Sequence, residues 1–332
     1  MHRDSRVYPS RYFTPLVLLV SSVLITWSGA AEERAEPIRI GALTASWGPT
    51  PQLVALRDGL VGLGYRENEQ FVIGVRFTQG DLAALRTTAR ELVQYGVDLI
   101  FAHREHAAKA AQMATSRIPI VFVGVNDPVG LGLVQSFARP GGNITGVTDL
   151  GLALGPKRLE VFREIIPGLK RVLYPYDPTD AYSVTGARVY RDAARRLGIV
   201  LVDRAVRTAE EARTTLAQVR KGEVDGILRP ASLSLNIPGF VLETASRQGI
   251  PAMFNGAFWV ERGALASYGP DQYDVGLQAA RLVDKILKGA SPAEIPVEVN
   301  TKIEFAINLN VAKALGLTIA PEVLYRADRL IR

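Results

Sequence analysis

The chain has 332 residues, enough for two α/β cores of roughly 130–150 residues each. It contains no cysteine, which excludes disulfides, thiolate metal sites, cysteine nucleophiles and the lipid-carrying cysteine of a bacterial lipoprotein. The formal net charge of +6 does not point to nucleic acid, because Lys and Arg alternate with Asp and Glu and no basic run exceeds two residues.

The chain opens with Arg3, Arg6 and Arg11, followed by the apolar stretch from Leu16 to Ile25. Small residues at Ser28, Gly29, Ala30 and Ala31 then precede Glu32-Glu33. A positive start, a short apolar core and small residues are the order of a secretory signal peptide, expected over 1–31. The apolar core is shorter than the roughly 20 residues that span a bilayer. Export to the periplasm is therefore expected, as a freely soluble product.

From Pro37 onward, short β-branched runs alternate with stretches of helical spacing. Strands are expected over Ile38–Leu43, Phe71–Phe77, Val97–Ala102 and Ile118–Val125, with helices over Gln52–Leu63, Leu82–Tyr95 and Glu105–Ser116 between them. After Pro140-Gly141-Gly142, the run Asn143–Leu150 reads as a strand passing between halves. The second half offers strands over Arg171–Tyr176, Val200–Val206, Val224–Leu228, Ile250–Phe254 and Leu265–Tyr268. Helices over Tyr182–Leu197, Ala209–Arg220, Ile237–Gln248 and Tyr273–Leu287 separate them, and Pro296–Leu309 again has strand character.

Strand, helix, strand in succession implies parallel sheets with helices on both faces. The halves also echo each other. Leu63-Gly64 and Leu197-Gly198 each end a helix before a strand, and Val97-Asp98 and Val224-Asp225 each open one. The fold expected is thus α/β, two doubly wound lobes with parallel sheets joined by a hinge. The first lobe covers 32–143 and the second 144–295, with part of 296–332 returning to the first lobe or the hinge.

In such sheets ligands bind beyond the carboxyl ends of the strands. The loops there hold Thr44, Ser46 and Trp47, then His103 and Arg104, then Asn126 and Asp127. In the second half they hold Tyr176, Asp177 and Tyr182, then Ser232, Asn255, Phe258 and Tyr268. This mix of hydroxyls, amides, rings and single charges suits a polar small molecule. Arg104 and Arg229 follow strands in opposite halves, where two guanidiniums facing one cleft would call for an anion between them. Enzyme signatures are missing: there is no Gly-rich phosphate loop, no Gly-x-Ser-x-Gly elbow and no third ligand to join His103 and His106 in a metal site. Binding without catalysis is expected, with no cofactor and no metal.

Several stretches carry a resemblance. They include Ile118-Pro119-Ile120-Val121-Phe122 running on to Asp127-Pro128-Val129-Gly130, and Ala138-Arg139-Pro140-Gly141-Gly142-Asn143-Ile144-Thr145-Gly146. Ser267-Tyr268-Gly269-Pro270, Val283-Asp284-Lys285-Ile286-Leu287-Lys288-Gly289 and Ala312-Lys313-Ala314-Leu315-Gly316-Leu317 follow in order. From about Ile38 to Ile331 the chain resembles the bacterial ABC-transporter substrate-binding proteins related to tryptophan-binding lipoproteins, which are built on the type I periplasmic-binding-protein fold. The resemblance implies Rossmann-like lobes, export and delivery of a small polar organic molecule, an organic anion or an amino acid, to an ABC permease in the membrane. A periplasmic ligand-sensing subunit serving a membrane receptor is the alternative; a monomer is expected in either case. The family usually has small residues where this chain has His103-Arg104-Glu105-His106, and commonly Asp-Pro where it has Arg229-Pro230.

Overall fold

A computed structural model describes residues 36–149 and 151–332, so the expected signal segment lies outside the described residues. In chain order the first elements are β1 (Ile38–Thr44), α1 (Pro51–Gly62), β2 (Phe71–Phe77), α2 (Ala84–Gln94), β3 (Leu99–His103) and α3 (Arg104–Ala114). Next come β4 (Ile120–Val123), β5 (Ile144–Asp149), α4 (Gly155–Ile165), β6 (Arg171–Tyr176), α5 (Ala181–Leu197), β7 (Val200–Ala205) and α6 (Ala209–Gln218). Then follow β8 (Gly226–Leu228), a 3-10 turn at Ser234–Asn236, α7 (Ile237–Gln248), β9 (Ala252–Phe254), α8 (Ala257–Val260), β10 (Ala266–Pro270) and α9 (Gln272–Leu287). The tail adds β11 (Glu298–Asn300), β12 (Ile303–Asn308), α10 (Leu309–Ala314), α11 (Pro321–Tyr325) and β13 (Arg329–Ile331).

Two sheets form two lobes. The first runs β11-β5-β4-β3-β1-β2 and the second β13-β12-β10-β9-β8-β6-β7. β3 and β4 are buried along their whole length, as befits central parallel strands covered by helices on both faces. The repeat read as Val-Asp has a physical basis. Asp98 Oδ2 accepts from Arg39 N at 2.7 Å, and Asp225 Oδ2 accepts from Lys170 N and Arg171 N at 2.8 Å. Each carboxylate satisfies backbone donors where the neighbouring strand begins, once per lobe. Gly198 ends α5 in the left-handed region at φ 66°, which a glycine adopts without steric cost.

The structure departs from expectation in four places. β5, expected in the second lobe, pairs with β4 in the first sheet. Pro140-Gly141-Gly142 is a turn that returns the chain into that sheet, tied by Asn143 Nδ2 to the Thr115 and Ile118 carbonyls. α9 also belongs with the first lobe, packed along α1; β11, within the stretch expected to return to that lobe or the hinge, pairs with β5. The chain therefore passes between lobes three times, after β5, between β10 and α9, and between β11 and β12. Finally, the second sheet is mixed, because β12 runs antiparallel to β10. α4 was not expected: its Gly155-Pro156 start reads as a turn, yet proline in the first helical turn costs no hydrogen bond, because the N–H groups there have no partner within the helix. No helix among the described residues is long and apolar enough to cross a membrane.

Candidate ligand-binding site

The carboxyl ends of β1, β3, β8 and β9 converge on a cavity of about 400 Å³ between the lobes. β1 delivers Ser46 and Trp47, and Thr50 then caps α1, whose first turn brings Gln52 to the wall. β3 delivers His103 and Arg104, β8 delivers Arg229, and β9 delivers Asn255. Phe258, Trp259 and Arg262 follow on α8 and the turn after it. The amino ends of α1 and α3 open on the same space, so their backbone dipoles add positive potential there.

Two guanidiniums from opposite lobes dominate this space. Arg229 is 4% exposed; its Nη1 donates to Ala231 O at 2.9 Å while Nε has no partner. Arg104 Nε is likewise buried without a partner. No carboxylate among the described residues lies within 4 Å of either guanidinium. Burial first, and then Arg104, push the Arg229 pKa down to about 9, so it stays charged at neutral pH. At Arg104 burial opposes the charge as well, but Tyr182, Asp149 and Glu105 outweigh it and hold the pKa up. At Arg229, where burial and the neighbouring guanidinium both oppose the charge, a buried cation is costly unless something completes it.

His103 is the second feature. Its Nδ1 lies 2.9 Å from Thr44 Oγ1, which is 3.1 Å from Ser46 Oγ. Ser46 Oγ donates to Gly48 O at 2.8 Å. One proton arrangement satisfies every contact: His103 Nδ1–H donates to Thr44 and Thr44 to Ser46. That leaves Nε2, which has no partner, as an acceptor. Burial, then Arg104 and Arg229, hold the imidazole pKa well below the usual histidine range, so His103 stays neutral.

The apolar wall comes from Trp47, Phe258 and Trp259. Phe258 and Trp259 meet edge to face with centroids 5.4 Å apart, and the Arg262 guanidinium covers the Phe258 ring at 3.4 Å. Trp47 rests on Gly80, where a Cβ would come within 2.1 Å of the indole.

Of the residues expected at the cleft, Ser46, Trp47, His103, Arg104, Asn255 and Phe258 line the cavity, and Thr44 supports His103 from behind. The others are placed elsewhere. Asn126 Nδ2 donates to Tyr182 Oη at 2.8 Å, so these two join the lobes to each other. Asp127 is exposed and its carboxylate accepts from Gly130 N at 2.8 Å in a turn. Asp177 is spent on Thr179, whose N and Oγ1 donate to it at 2.8 and 2.7 Å. Ser232 Oγ accepts from Ser234 N at 3.0 Å. The Tyr176 ring lies under Arg191 and the Tyr268 ring packs on Phe305, both on the body of the second lobe. The expected site omitted Gln52, Trp259, Arg262 and Gln272, which come from first helical turns or from the turn after α8. Phe258 and Arg262, four apart and in contact across the end of α8, were the available signal for the last wall.

The model of the family described as ABC transporter substrate binding protein matches residues 52–331. A tyrosine-binding protein of Clostridioides difficile is 30% identical over 255 residues, covering 76% of this chain and 73% of that protein. The ABC domain in complex with L-Trp from Streptococcus pneumonia superposes with a TM-score of 0.78 at 28% identity, covering 89% of this chain and all of that one. A ligand-free, open substrate-binding protein with adhesive properties from Clostridium difficile superposes with a TM-score of 0.61 at 26% identity, covering 90% of this chain and 99% of that one.

Proposed function

The chain belongs to the family of ABC transporter substrate-binding proteins, and from that premise we propose that it is an exported, periplasmic binding subunit that closes around a small organic carboxylate and hands it to an ABC permease. The observation that carries the ligand class is the pair Arg104 and Arg229. Both guanidiniums meet the cavity from opposite lobes and neither has a carboxylate partner among the described residues. A carboxylate accepts such donors in a forked geometry and supplies the counter-charge that Arg229 lacks. The rings of Trp47, Phe258 and Trp259 beside them suit an apolar or aromatic remainder. That two relatives are named for tyrosine and L-Trp supports a ligand with a carboxylate and a ring.

The mechanism is binding without turnover. Only the closed arrangement lets one ligand touch Arg104 and Arg229 together, so its differential affinity drives closure about the three crossings. The greater likeness to the L-Trp complex than to the ligand-free open structure supports reading these lobes as closed.

Calorimetric titration with aromatic and aliphatic carboxylates tests the ligand class. Arg104→Ala should weaken the best of them by roughly 1.5–3 kcal/mol, the range for a hydrogen bond to a charged group. Unchanged affinity would remove Arg104 from the site and the carboxylate reading with it. Export is tested separately. Mature protein from the periplasmic fraction should begin at Ala31 or Glu32, and an intact Met1 in a membrane pellet would sink it.

A further inference from the structure

The cavity carries a one-sided charge pattern. Arg104, Arg229 and Arg262 line it, and no Asp or Glu is among its lining residues. Glu105 and Asp149 lie off this wall, where they favour the charge on Arg104. Glu105 Oε1 accepts from Asn126 N and Nδ2 at 3.1 and 3.2 Å, Asp149 Oδ1 accepts from Gly151 N at 2.9 Å, and Asp180 faces His106. Glu261, beside Arg262 in sequence, pairs with Arg329 instead.

An α-amino acid presents two charges within a few ångströms of each other. Its carboxylate would find Arg104 and Arg229. Its ammonium would need a carboxylate or several oriented acceptors, because a buried cation without a partner is strongly penalised. The lining offers only uncharged acceptors for it, the side-chain oxygens of Ser46, Gln52, Asn255 and Gln272 among them, beside three guanidiniums. Three like charges on the wall act against a further cation placed among them. An uncharged hydroxyl has neither difficulty: it brings no charge, and one amide oxygen of the lining can accept its hydrogen bond.

We propose that the site selects carboxylates that lack an ammonium group, an uncharged hydroxyl being accepted in its place, and that it disfavours the corresponding amino acids. The inference rests on the carboxylate reading above and narrows it. It also separates this chain from the two relatives named for aromatic amino acids.

Matched pairs isolate the ammonium. Calorimetric titration of purified mature protein compares L-3-phenyllactate with L-phenylalanine, and L-indole-3-lactate with L-tryptophan. Within each pair only hydroxyl and ammonium differ. The hydroxy acid should bind at least ten-fold tighter in both. Equal or tighter binding of the amino acids would overturn the selection while leaving the carboxylate reading intact. If neither member of either pair binds but aliphatic carboxylates do, the preference is tested instead on L-lactate against L-alanine, with the same criterion. Failure of every carboxylate would overturn the underlying reading and this inference together. Asn255→Asp places an acid on the cavity wall and should reduce the hydroxy-acid preference at least five-fold. An unchanged ratio would show that the charge of the lining does not set the choice.

Discussion

His106 Nε2 lies 3.0 Å from Asp180 Oδ1, so the first turn of α3 in one lobe touches the cap of α5 in the other. The hydrogen bond to Asp180 raises the His106 pKa above its usual value, against the effect of burial. Burial alone would raise Asp180, but hydrogen bonds from His106 and Ser232 outweigh it and hold that carboxyl low. The histidine contribution is present in full below about pH 6.5 and is lost as pH rises through the raised value. The carboxylate contribution is present above about pH 3.9 and is lost as pH falls through the depressed one.

The contact should therefore hold the lobes together most strongly between roughly pH 4 and 6.5. With His106 partly exposed, solvent screening limits the effect to about 0.5–1 kcal/mol. His106→Ala should lower the melting temperature and weaken ligand binding more at pH 5.5 than at pH 8.5. His106→Gln, which keeps a donor without the charge, should flatten the pH dependence. Equal losses at both pH values would show that the pair contributes no charge interaction.

Arg229 sets function against stability. Its guanidinium is buried next to a second one, with no acid within 4 Å among the described residues. Replacing an uncompensated buried charge by an apolar side chain of similar length relieves desolvation. Arg229→Met should raise the melting temperature of the ligand-free protein by about 2–4 °C, corresponding to about 1–2 kcal/mol. The same variant should lose at least ten-fold in affinity for its carboxylate ligand. A lower melting temperature without ligand would mean that the bond to Ala231 O outweighs the charge penalty.

The α1–α9 contact depends on missing side chains. A Cβ at Gly276 would stand 2.3 Å from Gln52 O and 2.6 Å from Ala55 Cβ, and one at Gly59 would stand 2.5 Å from Ala280 Cβ. The first obstruction is backbone and does not swing aside. Gly276→Ala should cost about 1–3 kcal/mol, the usual range for overpacking. It should also weaken ligand binding, because Gln52 borders the cavity. Denaturant titration checks the first effect and calorimetry the second. A variant within 0.3 kcal/mol of the parent would contradict the close helix packing.

Alternation of short apolar runs with helical spacing was enough to place most strands, because parallel strands buried on both faces leave that signature. Strand ends then located His103, Arg104 and Asn255 at the cleft. The same rule misplaced Tyr268. β10 continues two residues past it, to Pro270, and side chains alternate faces, so the ring turns into the second lobe against Phe305. Asn126 and Tyr182 are far apart in the chain, and only docking of the lobes brings them within 2.8 Å. Gln52, Trp259 and Gln272 depend on where helices begin, the least certain boundary in a sequence reading. Pro140-Gly141-Gly142 shows a different ambiguity: the composition of a turn is the same whether the chain leaves a domain or folds back into it.

Arg104 combines two roles that substitution can separate. Its φ of 73° lies in the left-handed region, where a side chain other than glycine costs about 1–2 kcal/mol. The strain falls at the first residue of α3, next to the cavity, where it aims the chain after His103 into the cleft. Glycine relieves it but loses roughly 0.5–1 kcal/mol through greater freedom of the unfolded chain. Arg104→Gly should therefore be more stable than Arg104→Ala by about 0.5–1 kcal/mol, the difference between those terms. Ordinarily glycine is the less stable of the two inside a helix, so the sign of the difference is diagnostic. Both variants lack the guanidinium and should bind carboxylates equally poorly. Thermal melts of the two ligand-free proteins provide the comparison. Greater stability of the alanine variant would mean that the backbone at 104 relaxes out of the left-handed region once the arginine is gone, and that its side chain rather than the fold holds it there.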